Sequence, residues 1–175
     1  MKKLNVIALA TILLSVGVGF SACKKKDIAS TLQIRLTDGP TNLKEVNVDI
    51  QQVYVKFDDD SSNTSNGWVA LQTNARVYNL LRFQNGVDTL LATAPVQQGI
   101  LKQVRFVLGP NNTVKDTFNV VSPLTIPSGS ESGLKIKISK KLELTLETLV
   151  LDFDTDLSIK RESSGYKLRP VIKLK

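Results

Sequence analysis

The most restrictive feature of this chain is a two-residue alternation of apolar and polar side chains that recurs in short segments. Leu32, Ile34 and Leu36 are separated by polar residues, and the turn sequence Asp38-Gly39-Pro40 follows directly. Side chains on a β-strand point alternately to opposite faces, so this alternation predicts a strand with one buried face. Long helical periodicity does not appear after the leader, and the pattern therefore predicts a fold built from strands.

The segment from Val46 to Phe57 changes parity in its middle. Its apolar residues occupy even positions up to Ile50 and odd positions from Val53 onward. A one-residue slip at Gln51-Gln52 would return all of them to the same face. The sequence therefore predicts a β-bulge at these two glutamines.

Further segments of strand character follow, separated by turn residues at intervals of roughly 8–12 residues. They are Trp68–Thr73, Ile100–Leu108, Val114–Ile126, Leu134–Ile138, Leu142–Phe153 and Tyr166–Leu174. Between Val77 and Asn85 neither the two-residue period of a strand nor the 3.6-residue period of a helix dominates. The sequence of this segment fits a short helical turn or a loop across the core. Pro170 cannot donate a backbone hydrogen bond, so the last strand is expected at a sheet edge or with a bend.

These segments predict one all-β domain over residues 31–175. The expected architecture is an antiparallel β-sandwich, immunoglobulin-like or prealbumin-like, with at most one short helical turn. No Pro- or Gly-rich linker divides the segment, which has the length of a single domain.

The first 22 residues have the organisation of a secretory signal peptide. Two lysines follow Met1, residues 4–20 are uncharged and mostly apolar, and the small residues Ser21-Ala22 precede Cys23. The segment Phe20-Ser21-Ala22-Cys23 resembles the lipobox of bacterial lipoproteins, which implies acylation of Cys23 after cleavage. Residues 23–30 would then form a lipidated N-terminus and tether. The expected location is the cell envelope, lipid-anchored in the outer membrane, with the periplasmic or surface side left open.

The charge and the residue types restrict the chemistry. The formal net charge is +7, but five of the 23 basic residues flank the apolar leader, so nucleic acid is not an expected partner. The chain has no histidine and a single cysteine, which excludes His-based catalysis and multi-Cys metal sites. We therefore expect a protein that is not an enzyme.

Several short motifs occur in a fixed order along the predicted strands. They are Leu36-Thr37-Asp38-Gly39-Pro40, Gly67-Trp68-Val69, Val104-Arg105-Phe106-Val107-Leu108-Gly109, Ile126-Pro127-Ser128-Gly129-Ser130, Gly133-Leu134-Lys135, Leu149-Val150-Leu151-Asp152-Phe153-Asp154 and Leu168-Arg169-Pro170-Val171-Ile172. In this order they resemble the family known as domain of unknown function (DUF) 4382, found mainly in secreted and lipid-anchored bacterial proteins, often of the Bacteroidetes. The resemblance implies a β-rich extracytoplasmic domain, with no catalytic residues to transfer.

Four aspartates are candidates for a metal or ion-pair cluster. Asp152, Asp154 and Asp156 share one face if the strand continues through them, and Asp38 is a fourth candidate. Clustered carboxylates suit Ca²⁺, but the favoured interpretation is pairing with basic neighbours, and no cofactor is expected. The candidate charge partners are Arg105, Lys135 and Arg169.

Two loops and the aromatic residues complete the candidates. The acidic run Asp58-Asp59-Asp60 lies in a hairpin loop that extends to Gly67, and Ser128–Gly133 is a second hairpin loop rather than a phosphate-binding loop. Tyr54, Trp68, Tyr78 and Tyr166 would form a sugar-stacking platform if exposed together, although single aromatics at strand positions usually lie in or beside the core.

These features predict a non-catalytic binding or structural module at the bacterial envelope. Its expected partners are the membrane, through the lipid anchor, and an envelope protein or glycan. The alternative is a surface lipoprotein that binds carbohydrate or Ca²⁺.

Overall fold

The computed structural model describes residues 29–57, 67–126, 133–143, 145–163 and 165–175. The leader, Cys23, most of the tether and most of both predicted hairpin loops lie outside the described residues. The strands in the described residues, in chain order, are β1 (Ala29–Asp38), β2 (Glu45–Phe57), β3 (Trp68–Ala70), β4 (Gln72–Thr73), β5 (Arg76–Asn79), β6 (Thr89–Gln97), β7 (Gly99–Leu108), β8 (Thr113–Lys115), β9 (Val121–Thr125), β10 (Leu134–Leu142), β11 (Leu146–Phe153), β12 (Ile159–Glu162), β13 (Gly165–Leu168) and β14 (Ile172–Leu174).

These strands form two packed sheets, which confirms the predicted β-sandwich. The first sheet has the order β14-β11-β1-β6-β4, and the second has the order β10-β7-β2-β8-β9-β13-β12, with β3 and β5 also paired to β2. Most pairs are antiparallel as expected. The exceptions are β1 with β11 and β9 with β13, which are parallel and, as parallel pairing requires, are joined by long stretches of intervening chain.

The core lies between the two sheets and follows the alternation in the sequence. Leu32, Ile34 and Leu36 of β1 are fully buried, as are Val104 and Phe106 of β7. Burial of such apolar surface is the main contribution to folding. The side chains between them on β7 point to the outer face of the second sheet.

The predicted bulge in β2 is confirmed. The register of β2 against β7 shifts between Ile50 and Gln52, and both Ile50 and Val53 are buried. The Gln52 side chain donates to the carbonyl of Leu71, 2.7 Å away, where the chain passes from β3 in one sheet to β4 in the other. The bulge thus keeps the apolar side chains of β2 on one buried face. Through Gln52 it also stabilises the connection from β3 to β4 between the two sheets.

Proline 170 interrupts the last predicted strand. The chain forms β13 in the second sheet before Pro170 and β14 at the edge of the first sheet after it. The predicted edge position and bend are therefore confirmed.

Three other segments predicted as continuous strands are divided in the structure, and one of them, Trp68–Thr73, forms β3 and β4. Between β8 and β9 the Asp116 carboxylate accepts hydrogen bonds from the backbone N–H groups of Phe118 and Val120 and forms a turn. In the predicted segment Leu142–Phe153, Leu142 ends β10 and β11 begins only at Leu146, and the Glu147 carboxylate accepts from the backbone N–H of Glu143 at 2.9 Å. Local side-chain hydrogen bonds of this kind compete with strand pairing, and periodicity does not reveal them.

Two single helical turns occur in the described residues, one more than expected. The first is a 3-10 turn over Leu80–Phe83, within the segment where neither period dominates. The second is α1 (Thr155–Ser158), directly after β11. No helix among the described residues has the length and hydrophobicity that a membrane span requires.

Candidate functional site

Asp38 lies at the end of β1 and is almost completely buried. Its Oδ1 accepts hydrogen bonds from the backbone N–H of Thr155, 3.1 Å away, and from the Thr155 hydroxyl. Its Oδ2 accepts from Nε2 of Gln84, at 3.2 Å. We call Asp38, Gln84 and Thr155 the Asp38 corner. The Asp38 corner joins β1 of the first sheet to α1 through Thr155. Through Gln84 it also joins β1 to the residue that follows the 3-10 turn.

Burial and hydrogen bonding act in opposite directions on Asp38. Loss of solvent disfavours the charged carboxylate and raises the pKa of Asp38, whereas the hydrogen bonds from Thr155 and Gln84 lower it. Desolvation is the largest contribution, so the net pKa of Asp38 is raised above the usual value of 3.8.

The three other candidate aspartates do not share one strand face. Asp152 is on β11, with Oδ1 buried and without a hydrogen-bond partner. Asp154 is the N-cap of α1, and its carboxylate accepts from the backbone N–H of Leu157 at 3.0 Å. Asp156 is exposed on α1. The expectation of a common face is wrong because the strand ends at Phe153 and the chain turns.

The predicted basic partners do not pair with these aspartates. Arg169 Nη2 donates instead to Glu162 Oε1 at 3.1 Å, because β12 and β13 form a hairpin that brings them together. The cation nearest Asp154 is Lys173 of β14, with Nζ 3.8 Å from Oδ2. Among the described residues, no group of three or more His, Cys, Asp or Glu side chains is placed to hold a metal ion.

A second buried aspartate, which the sequence did not single out, organises the turn after β7. Asp49 Oδ2 accepts from the backbone N–H of Asn111 at 3.2 Å and from its side-chain Nδ2 at 3.1 Å. The Asp49 backbone N–H donates to Oδ1 of Asn112, 2.9 Å away. The sequence marked Gly109-Pro110-Asn111-Asn112 only as a turn, and nothing local in it indicates that Asp49 is its partner.

Gly109 is required by this arrangement. A Cβ at this position would lie only 2.7 Å from Cγ of Asp49, and the Gly109 N–H donates to the Asp49 carbonyl at 2.8 Å. The glycine therefore leaves the space that the Asp49 carboxylate occupies.

Arg105 lies on the outer face of the second sheet, as its position between Val104 and Phe106 predicts. Its guanidinium carbon is 4.3 Å from the ring centre of Tyr54 and 4.5 Å from that of Trp68. Its Nε is buried and has no hydrogen-bond partner. The guanidinium therefore contacts two aromatic rings rather than a carboxylate.

The neighbouring positions on this outer face are basic or polar. Lys135 of β10 is in register with Arg105, which is in register with Tyr54 of β2. The next row contains Lys137, Gln103, Lys56 and Trp68. We call this surface the Arg105 face; its residues are Tyr54, Lys56, Trp68, Gln103, Arg105, Lys135 and Lys137. Strands are about 4.8 Å apart, so each row extends about 14 Å across four strands.

The four candidate aromatic residues do not form a single platform. Only Tyr54 and Trp68 belong to the Arg105 face. Tyr78 is buried in the core, and its hydroxyl donates to the Asn74 carbonyl at 2.6 Å. Tyr166 is on β13, where its ring centre is 5.9 Å from the guanidinium carbon of Arg161.

Comparison with known proteins gives one match. The family described as "Domain of unknown function (DUF4382)" matches residues 29–170, which include β1 to β13. No curated protein and no solved structure matches the chain. The order of motifs and the family match agree, and the chain belongs to the DUF4382 family.

Proposed function

We propose that this protein is a lipid-anchored, extracytoplasmic, non-catalytic binding or structural module of the bacterial envelope, held at the outer membrane. The observation that carries the proposal is the spacing between the leader and the domain. The lipobox-like sequence ends at Cys23, and β1 and the family match both begin at residue 29.

The short tether limits how the domain stands on its anchor. Between Cys23 and Ala29 an extended chain spans at most about 20 Å. Ala29 pairs with Gln97, so the end of the sandwich with the β6–β7 turn would face the membrane. β1 is ten residues long, about 33 Å, and the Asp38 corner at its other end would face away.

A non-catalytic role is supported by the uses of the buried aspartates. Asp38 accepts hydrogen bonds from α1, and Asp49 accepts them from the turn after β7. Both carboxylates thus hold neighbouring segments of chain in place.

A second candidate function is carbohydrate binding, and the Arg105 face favours it. Two aromatic rings lie on one sheet surface beside an arginine that has no carboxylate partner among the described residues. Ca²⁺ binding has no such support, since no group of three or more carboxylates among the described residues is placed to hold a metal ion.

Mass spectrometry and membrane fractionation test the anchor. Expressed in a bacterial host, the wild-type protein is expected to begin at an acylated Cys23 and to sediment with outer membranes. Cys23→Ser should remain uncleaved and unacylated, because serine has no thiol to acylate. Ser15→Ala, inside the apolar run, is the matched control and should behave as wild type. An intact, unacylated N-terminus on soluble wild-type protein would contradict the proposal.

A further inference from the structure

Arg105 is held in one orientation without using its hydrogen-bonding capacity. The rings of Tyr54 and Trp68 both contact its guanidinium, at 4.3 and 4.5 Å from the guanidinium carbon. The residues that the structure describes provide no salt bridge to Arg105, and its Nε has no partner. A guanidinium that lies over aromatic rings still has N–H donors in its own plane, and a carboxylate can accept two hydrogen bonds from such a group.

The same arrangement lowers the cost of binding an anion. A long arginine side chain normally loses rotamer freedom when it binds, but here the two rings have already fixed it. The rings also exclude water from one part of the guanidinium, which strengthens its interaction with an incoming charge.

The surroundings of Arg105 favour an extended anionic ligand over a single small ion. Lys135 and Lys137 on the edge strand β10 are exposed, and Lys56 lies on the other side of Gln103. The two rows are about 7 Å apart and each extends about 14 Å, a size comparable to two or three sugar units. The Arg105 face thus carries four cations and two aromatic rings on one face of the second sheet.

We propose that the Arg105 face binds an acidic oligosaccharide whose sugars carry carboxylates. Arg105 would bind one carboxylate through its paired donors, the lysines would bind neighbouring ones, and the edges of Tyr54 and Trp68 would contact the apolar side of a pyranose ring. The choice of a glycan as the polyanion rests on the proposed extracytoplasmic location, whereas the binding itself can be measured without it.

Isothermal titration calorimetry of the purified full chain with oligogalacturonate tests this proposal. We expect saturable binding of oligogalacturonate, weakened by added salt because surface charges are screened. A neutral galactose oligomer of equal length should bind at least about tenfold more weakly, since it cannot form the charge-assisted hydrogen bonds.

Variants locate the site and separate binding from folding. Arg105→Lys keeps the charge but loses the planar donors and should weaken binding about tenfold. Lys135→Glu with Lys137→Glu changes exposed side chains only, so it should lower affinity by a similar factor while the melting temperature stays unchanged. Arg161→Lys, at the arginine near Tyr166, is the matched control and should bind as wild type.

Three results would overturn the proposal. They are equal affinity for the neutral oligomer, unchanged affinity in both the Arg105 and the lysine variants, and no binding of oligogalacturonate at millimolar concentration. A DNA oligonucleotide of equal charge that binds as tightly would also overturn it, because the surface would then recognise charge alone. None of these results depends on acylation of Cys23, so they leave the proposed anchor unaffected.

Discussion

The Asp38 corner and the Arg105 face place charged side chains in opposite situations. Asp38 is surrounded by donors, since Thr155 and Gln84 together provide three hydrogen bonds to its two oxygens. Arg105 is surrounded by aromatic rings and has a buried Nε without an acceptor. The donors around Asp38 meet an acceptor within the chain, whereas our proposal assigns the acceptor of Arg105 to a ligand.

This difference separates stability from binding within the same fold. Buried carboxylates whose hydrogen bonds are satisfied hold segments together, and removing them leaves unpaired donors inside the protein. A stacked cation on a sheet surface contributes less to folding, because one side of it still faces solvent. Of the aspartates that the sequence suggested as a ligand site, Asp38 and Asp154 hold neighbouring segments of chain, whereas Arg105, suggested as their partner, lies on the candidate binding surface.

The largest effect is expected at Gly109, beside the other buried aspartate. In Gly109→Ala the new Cβ would overlap the Asp49 carboxylate, so we expect the free energy of unfolding in urea to fall by about 3 kcal/mol or more. Gly39→Ala is the matched control, since a Cβ there has no atom within 4 Å and should change stability little. A loss below about 1 kcal/mol in Gly109→Ala would show that the turn can move away from Asp49.

Removing the Asp38 carboxylate should have the next largest effect. Asp38→Ala leaves the donors of Thr155 and Gln84 without their acceptor, and we expect a loss of about 2 kcal/mol in urea unfolding. Asp156→Ala removes an exposed carboxylate from α1 and should cost about 0.5 kcal/mol or less.

The dependence on pH sharpens the prediction for Asp38. Because the folded-state pKa of Asp38 is raised, the folded protein holds its proton more tightly than the unfolded chain. Its contribution to stability is therefore greatest below the usual pKa of 3.8 and declines as pH rises through the raised value. The difference in unfolding free energy between wild type and Asp38→Ala should shrink over this interval, and a difference that grows would mean that hydrogen bonding outweighs desolvation.

The smallest effects on stability are expected on the Arg105 face. Arg105→Lys weakens two contacts with aromatic rings and should cost about 1 kcal/mol in thermal unfolding. Lys135→Glu should change stability by about 0.5 kcal/mol or less, because the side chain is exposed. A loss in Lys135→Glu as large as that in Asp38→Ala would remove the distinction between the two regions.

Local patterns predicted those parts of the fold whose cause is local. The parity change at Gln51-Gln52 required a bulge, because every apolar side chain of β2 must reach the same core. Pro170 predicted an edge position or a bend, because it lacks the backbone donor that a central strand needs. The outward position of Arg105 followed from its buried neighbours Val104 and Phe106.

The candidate site was less predictable because its contacts join distant residues. Asp152, Asp154 and Asp156 have strand spacing in the sequence, but the carboxylate of Asp154 caps α1 and ends the alternation. Asp49 lies on β2, whereas Gly109 follows β7. No spacing pattern in the sequence connects the two positions. The two aromatic partners of Arg105 likewise come from β2 and β3.

The sequence by itself determined that this chain forms strands, where one of them bulges and where the last one breaks, since backbone geometry and the burial of alternate side chains act over a few residues. Only the tertiary structure decided which charges meet. Asp38 reaches Thr155 across 117 positions of sequence, through the parallel pairing of β1 with β11. Strand order places such residues together, and strand order depends on the packing of the whole sandwich rather than on any one segment.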